Sequence, residues 1–356
     1  MNKRMSPKRL FSLNEHLETL ENDTLEKLDE IVNFELFREM ITEALDYGYK
    51  VQGGRPPFDP VVMFKILILQ SMHNLSDKKT EQMVRGYLPW MLFLGFEFGD
   101  VMPDENTIRH FRNRLTEMEV LPVLMQAFNK ELSDNDYDAR GGMIMDATLV
   151  PSPKQRLTKE EKEAIEEGQS AQEIWENPNK AAQKDVDARW VLRKKGKGGK
   201  GKMQIVEATH GYGFHACADR KHKLIRNTAV TPANVHDSRC FKELVDFTNT
   251  AQVVWADSAY WGEEREAWLE ENGIRSNIMR RGTRGNPISA ASARANSKKA
   301  RVRARVEHVF GDMKNRFGLY IRTIGLERAE TKLLLAAMVY NMNRFVFLKR
   351  RRCTVG

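Results

Sequence analysis

Up to about residue 138 the apolar positions fall at the three-and-four spacing of helices, and alternating runs are few. Residues 17–28 are polar and acidic, and residues 31–45 follow with an apolar face. Gly53-Gly-Arg-Pro-Pro-Phe-Asp-Pro60 breaks the pattern. Pro60 then opens an apolar helix through Met72, since a proline at the first helical position gives up an N–H that has no partner there anyway. Ser76 is placed to cap a second helix running to about residue 87. Residues 89–98 form an aromatic patch, and Pro103-Asp-Glu-Asn-Thr caps a third helix over 108–115. That helix carries Ile108, Phe111 and Leu115 on one face, with Arg109, His110, Arg112 and Arg114 around the rest. It suits a recognition helix for duplex DNA, and equally a basic solvated face of a bundle.

Beyond residue 138 the period changes. Gly141-Gly-Met-Ile-Met-Asp-Ala-Thr-Leu-Val150 reads as a buried strand, opened by two glycines and closed by Pro151. Alternation puts Ile144, Asp146 and Thr148 on one face and Met143, Met145, Ala147 and Leu149 on the other. Gln252-Val-Val-Trp-Ala-Asp-Ser-Ala-Tyr260 repeats the theme, with Asp257 at the end of the apolar run. With strands at 203–209, 214–219 and 224–230, these predict a five-stranded sheet. Residues 151–184 are polar, and Thr158 with Glu161 forms a capping-box signature. Residues 185–202 are strongly basic around Gly196-Lys-Gly-Gly-Lys-Gly and read as a loop. Helices are expected over 238–247, 263–272, 300–317 and 329–347, the last apolar on most sides and therefore buried. The predicted organisation is a helical N-terminal domain (1–138) that binds DNA, an α/β domain (139–350) with a polar and basic insertion at about 151–202, and a basic tail (351–356).

Composition narrows the class. Of 356 residues 41% are hydrophobic and 30% charged, and the mean hydropathy is −0.56, as in water-soluble chains. Lys and Arg outnumber Asp and Glu, 57 to 49, for a net charge of +8, which points to a polyanionic partner. Three cysteines do not make a disulfide framework. No signal peptide or membrane span is expected, and the predicted location is the cytoplasm, at the nucleoid.

The chemistry gathers on carboxylates. An aspartate inside an apolar strand is costly unless a cation pairs with it. Two such strands side by side would bring Asp146 and Asp257 together. The helix over 300–317 has an apolar stripe of Val302, Val306, Val309, Phe310, Met313 and Phe317. Arg303, Glu307 and Lys314 share another face, since offsets of four and seven return to the same azimuth. A lone Glu on a basic helix is ordinarily a solvated ion-pair partner; beside two strand aspartates it becomes a third metal ligand. Phosphodiester cleavage wants such a set, because two divalent cations about 4 Å apart relieve charge on both the attacking and the leaving oxygen. Mg²⁺ takes oxygen ligands and keeps waters, so carboxylates suffice. Arg303 and Lys314 are expected to hold scissile-strand phosphates rather than pair with Glu307. Arg189, Lys194 and Lys195 of the basic stretch, and Arg280 and Arg281 of the acid-free run 273–306, add DNA-binding candidates. Tyr260 and Trp261 are placed either to stack on a displaced base or to pack against the sheet. Cys217, His222, His236 and Cys240 are the zinc candidates, and Asp219 and Asp237 the rival carboxylates.

Asp146 and Asp257 in strands, with Arg303-x3-Glu307-x6-Lys314, resemble the DDE transposases of bacterial insertion sequences. More narrowly the chain is similar to the group with an RNase-H-like core and a helical N-terminal domain. Gly54-Arg-Pro-Pro-Phe-Asp-Pro60, Pro103-Asp-Glu-Asn-Thr-Ile108, Asp187-Ala-Arg-Trp190, Thr231-Pro-Ala-Asn-Val-His-Asp237 and Ala256-Asp-Ser-Ala-Tyr260 match that group as well. The likeness covers about residues 50–350. One departure is Ala300, where the signature often has Tyr. The resemblance implies an RNase-H-like mixed five-stranded sheet flanked by helices, with Asp146, Asp257 and Glu307 as catalytic metal ligands. It implies Mg²⁺, with Mn²⁺ able to substitute, and excision and strand transfer of the element's own double-stranded DNA by a homodimer or larger assembly. Two alternatives stay open: a catalytically inactive DNA-binding or repressor descendant, and an RNase-H-like nuclease, in which water attacks in place of a 3′-hydroxyl.

Overall fold

The computed structural model describes residues 23–46, 56–195, 205–282, 285 and 287–353. The Gly196–Gly201 core of the basic stretch, with Lys197, Lys200 and Lys202, lies outside these residues, as do Arg284, residues 17–22 of the first expected helix and residues 53–55 of the first break.

The described residues open with α1 (Asp23–Ile31) and α2 (Arg38–Ala44), followed by α3 (Pro60–Met72). Asp59 caps α3, its Oδ1 accepting from the N–H groups of Val61 and Val62 at 2.8 and 3.1 Å. This helix is buried on nearly every side, as a helix apolar all round must be. Ser76 caps α4 (Asp77–Gly86), accepting from Lys79 N–H, and α5 (Leu88–Leu94) follows. Asp104 caps α6 (Glu105–Glu117), accepting from Thr107 N–H at 2.7 Å. The N-terminal half closes with α7 (Val120–Asp134).

The sheet has six strands: β1 (Met143–Pro151), β2 (Arg189–Lys195), β3 (Ile205–Asp219), β4 (Ile225–Pro232), β5 (Val253–Trp255) and β6 (Arg275–Ser276). The order is β2-β3-β1-β5-β6, with β4 also on β3. It is mixed: β1 runs antiparallel to β3 from Met143↔Asp219 to Pro151↔Gly211, and parallel to β5 at Met143↔Val254 and Ile144↔Trp255. Two expectations are corrected. The strands expected separately at 203–209 and 214–219 are one long strand, β3. Gly211 lets it run on at φ +156°, where a Cβ would stand 2.1 Å from the Val150 carbonyl oxygen. The stretch read as a basic loop from 185 supplies β2, which pairs with the first half of β3.

The polar insertion folds on a small core of its own. Between β1 and β2, α8 (Lys159–Glu166) starts with the expected Thr158/Glu161 capping box. Ile165, Trp175 and Ala181 pack together there. Glu161 also accepts from Trp175 Nε1 at 2.6 Å and Lys180 Nζ at 2.9 Å, and these bonds hold its carboxyl down at about 2.

After β4 the expected helix 238–247 is only two short turns, Asp237–Cys240 and Phe241–Leu244. Then come α9 (Glu263–Glu271), α10 (Ala290–Phe317) and α11 (Leu326–Cys353). α10 begins ten residues before its expected start at 300, and Arg351, Arg352 and Cys353 of the expected tail complete α11. Asn341, fully buried in α11, accepts from Ile225 N–H at 2.8 Å and donates to its carbonyl at 2.7 Å, satisfying a β4 residue as a further strand would. One apolar cluster runs from Leu25 to Phe345 and joins the N-terminal helices, α10 and α11 to one sheet face, including Ile144 and Val150. Met143 and Met145 point into a second cluster with Phe241, Leu244 and Leu269. The alternation expected in β1 is therefore present, and Asp146 lies on the α10 side.

β5 can lie close to β1 only because of Gly142. Its φ is +97°, and a Cβ there would stand 2.4 Å from the Trp255 ring and 2.7 Å from the Val253 carbonyl oxygen. Gly142→Ala is expected to lower unfolding free energy by about 3 kcal/mol or more, through left-handed strain plus overlap with main chain. Chemical denaturation of the purified variant checks this; a loss within about 0.5 kcal/mol would mean that β5 can shift freely.

Candidate active site

Parallel pairing fixes the first two carboxylates. Ile144 is level with Trp255, and both Asp146 and Asp257 stand two residues further on, Asp146 within β1 and Asp257 just past the end of β5, so the register carries them towards each other. Strands in a sheet are spaced about 4.8 Å. Asp257 ends its run as the cap of a single turn, Ser258–Tyr260, its Oδ1 accepting from Ala259 N–H at 2.7 Å. α10 crosses the same sheet face and brings the third carboxylate. Arg303 reaches Asp146 Oδ2 with Nη1 at 2.5 Å and Glu307 Oε1 with Nη2 at 2.6 Å. One guanidinium thus forks between a strand carboxylate and a helix carboxylate one turn away.

Burial dominates the electrostatics of Asp146. It pushes the carboxyl up to about 6 against the pull of Arg303 and the Ala147 N–H, and the negative charges of Asp257 and Glu307 push the same way. The site therefore concentrates more negative charge than Arg303 neutralises. Among the described residues no three His, Cys, Asp or Glu side chains stand at the spacing of a closed metal cage. The position between Asp146 and Glu307 is filled by Arg303. The donor set nonetheless fits a hard divalent cation, all oxygen, with the most buried member destabilised as an anion.

Arg303 is a correction. It was expected to hold phosphates rather than pair with Glu307, and it pairs with Glu307 and Asp146 together. The sequence shows the four-residue spacing to Glu307 but gives no sign of Asp146, 157 positions away. Lys314 is exposed further along α10. Tyr260 is corrected as a stacking platform: it is 0% exposed and packs against Phe241 beneath the site, because the turn after Asp257 swings it inward. Trp261, the next residue, is at the surface.

The basic candidates divide. Arg112 is engaged inside the protein, donating to both Asp77 oxygens at 2.5 and 2.9 Å and to Gln70, so it is withdrawn as a DNA contact. Arg189 is withdrawn likewise, because it donates to the carbonyls of Val186, Ala188 and Ile165. Arg109 is exposed with a bond to Asn106, and Arg114 is exposed with a bond to the Leu45 carbonyl. Lys194 and Lys195 are in β2, but their side chains lie outside the described residues. Arg280 and Arg281 are exposed. Their loop is held to α10 by Asn296, which donates to the Arg280 carbonyl at 2.8 Å and accepts from its N–H at 3.1 Å, and by Lys299, which donates to Ile278 O at 2.8 Å. Sequence reading missed Asn296 and Lys299, for a mid-helix Asn and one Lys in a basic run carry no local signal of a partner.

Arg112→Ala is expected to cost about 2–3 kcal/mol, since it leaves Asp77 half-buried and unpaired, whereas Arg109→Ala should change stability by no more than about 0.5 kcal/mol. Thermal melts of the two variants separate the roles, and equal melts would show that the Arg112 bridge contributes nothing.

Of the rival carboxylates, Asp237 stays near the candidate site, for burial and then the charges of Asp237, Asp146 and Asp257 together push the Tyr260 hydroxyl up, while Asp219 serves a hairpin. Asp219 is buried, pairs with Arg226 at 3.4 Å and accepts from the N–H groups of His222 and Leu224, which makes it the anchor of the β3–β4 hairpin. Asp237 faces His215 at 3.9 Å, and His215 lies opposite Ala147, the residue after Asp146. Cys217 and Cys240 are buried without forming a metal group with His222 or His236.

Comparison with known families agrees with the mixed sheet and the helical region ahead of it. A family model described as a transposase DDE domain matches residues 138–342, more than half of the chain. A second, described as a transposase domain, matches residues 12–114. No solved structure matches the chain. The match to the DDE domain over more than half of the chain, with a transposase domain matched ahead of it, places this chain in the family of DDE transposases of insertion sequences.

Proposed function

We propose that the protein cuts DNA at the ends of its own insertion element and joins the freed 3′-hydroxyls to target DNA, with Asp146, Asp257 and Glu307 as the ligands of divalent cations, Mg²⁺ or Mn²⁺. The parallel register of β1 and β5 carries this reading, because it sets the two aspartates level on the face that α10 crosses. Bound cations would supply charge relief at the scissile phosphate and orient the attacking oxygen. The chain's own part is placement. Asp146 is rigid in the central strand, its Oδ1 fixed by Ala147 N–H at 3.0 Å. Asp257 is rigid as a turn cap. Glu307, its side chain 57% exposed, is the adjustable member. Arg303 holds Asp146 and Glu307 together through its two Nη groups. Lys314, Arg280 and Arg281 line the approach as backbone contacts, and Trp261 offers a surface ring beside Asp257. Arg109 and Arg114 are proposed DNA contacts of the N-terminal region. Two ends have to be cut in concert, so the acting form is a dimer or larger assembly on double-stranded DNA.

The test is a supercoiled plasmid carrying the element with its native flanks, incubated with purified protein and Mg²⁺. Breaks bearing 3′-hydroxyls at the element boundaries, and their joining to target DNA, are expected. Absence of boundary-specific breaks in both Mg²⁺ and Mn²⁺ would refute the reading.

A further inference from the structure

Away from the catalytic carboxylates, the end of α7, the β3–β4 hairpin and the C-terminal turns of α11 enclose a cleft of about 770 Å³. Its charged lining is Arg140, Lys221, Arg351 and Arg352 against one acid, Asp136. That acid pairs with Arg352 at 3.1 Å, and Arg140 pairs with Asp138 at 2.6 Å; all four side chains are substantially exposed, and such pairs contribute little, so an incoming anion can replace them. In the wall lies His222, 8% exposed, whose Nε2 has no hydrogen-bond partner among the described residues. The ring packs edge-on against Tyr137, another residue of the lining.

The cleft stands in a fixed relation to the catalytic carboxylates. Lys221 N–H donates to the Arg140 carbonyl, and Arg220 N–H to that of Gly142, so Lys221 is level with Gly141, five residues up β1 from Asp146. At about 3.3 Å per strand residue this is roughly 17 Å, a few phosphates along a DNA strand. Arg305, on the same helix as Arg303 and Glu307, bonds the Arg220 carbonyl at 3.3 Å and ties hairpin to catalytic helix.

We propose that this cleft is a second DNA site, which grips the phosphodiester backbone of the duplex a few nucleotides from the scissile bond. Four cations, a volume beyond what one phosphate fills and an open mouth suit a polyanion rather than a small metabolite. Burial is the main cause that holds His222 down at about 4, and the positive charges of Lys221, Arg226, Arg140 and Arg344 add to it. The ring is therefore neutral at physiological pH. The inference rests on the transposase reading for the identity of the polyanion.

Two measurements on the full chain test it. The first is duplex affinity across a salt series for wild type, Lys221→Ala and the double variant Arg351→Ala/Arg352→Ala, with melts to confirm folding. Each cation removed is expected to lower the log–log salt slope by about one unit. The second uses Cys353, exposed one residue beyond Arg352, while Cys217 and Cys240 are buried and shielded from labelling. A photo-crosslinker on Cys353 is expected to join bound duplex. Unchanged slopes in folded variants, or no adduct from labelled protein that binds duplex, would overturn the cleft while leaving the transposase reading in place. Failure of wild type to bind any duplex would overturn both.

Discussion

Asp146→Asn, Asp257→Asn and Glu307→Gln are each expected to lower donor-plasmid cleavage by at least about a thousandfold, ~4 kcal/mol of barrier, while duplex affinity stays within about threefold. Each amide keeps the shape of the carboxylate and removes the charge that would hold a divalent cation. The local roles differ. Asn at 257 can still accept from Ala259 N–H through its carbonyl, so the turn at Ser258 should form. Asn at 146 meets Arg303 with a neutral group and removes an anion that burial disfavours, so that variant should melt no lower than wild type. Loss of activity without loss of stability is the signature of a ligand. Any one variant cutting within about tenfold of wild type would remove that residue from the set.

Arg303→Ala is expected to act in opposite directions on stability and on metal response. In EDTA the variant should lose about 2 kcal/mol, because Asp146 and Glu307 are left facing each other without their shared cation. Added Mg²⁺ should then raise its melting temperature by more than it raises that of wild type, since no guanidinium competes for the two carboxylates. Cleavage should still fall, by about tenfold or more, as Asp146 and Glu307 are no longer held in register by the fork. Arg303→Lys keeps the charge but cannot bridge both acids, and should fall between the two. Melting curves with EDTA and with Mg²⁺ decide the matter: a Mg²⁺ shift in Arg303→Ala no larger than in wild type would mean that Arg303 does not occupy the cation position.

What the sequence made legible was local. Pro60, Ser76, Pro103-Asp104 and Thr158 mark helix starts, and the structure has all four helices. Alternation in β1 placed Asp146 on the correct face. Long-range pairing was not legible. β2 was hidden because its Lys and Arg residues run into a glycine-rich stretch, and β3 was split because Gly211 and Gly213 resemble a turn. The first ten residues of α10 were missed because Ala, Ser, Asn, Lys and Arg there form no apolar stripe, although several are good helix formers. At the site, three carboxylates were readable as types in a pattern. The partners of Arg303, Arg112 and Arg189, and the burial of Tyr260, depend on chain segments that only tertiary folding brings together.

The central claim is that Asp146, Asp257 and Glu307 together hold divalent cations where DNA is cut. Mn²⁺ binding to the protein–duplex complex, followed by the loss of the free-ion resonance, tests it most directly. Wild type is expected to bind Mn²⁺, and each of Asp146→Asn, Asp257→Asn and Glu307→Gln to weaken that binding by about tenfold or more. Wild-type Mn²⁺ affinity in all three variants would contradict the account.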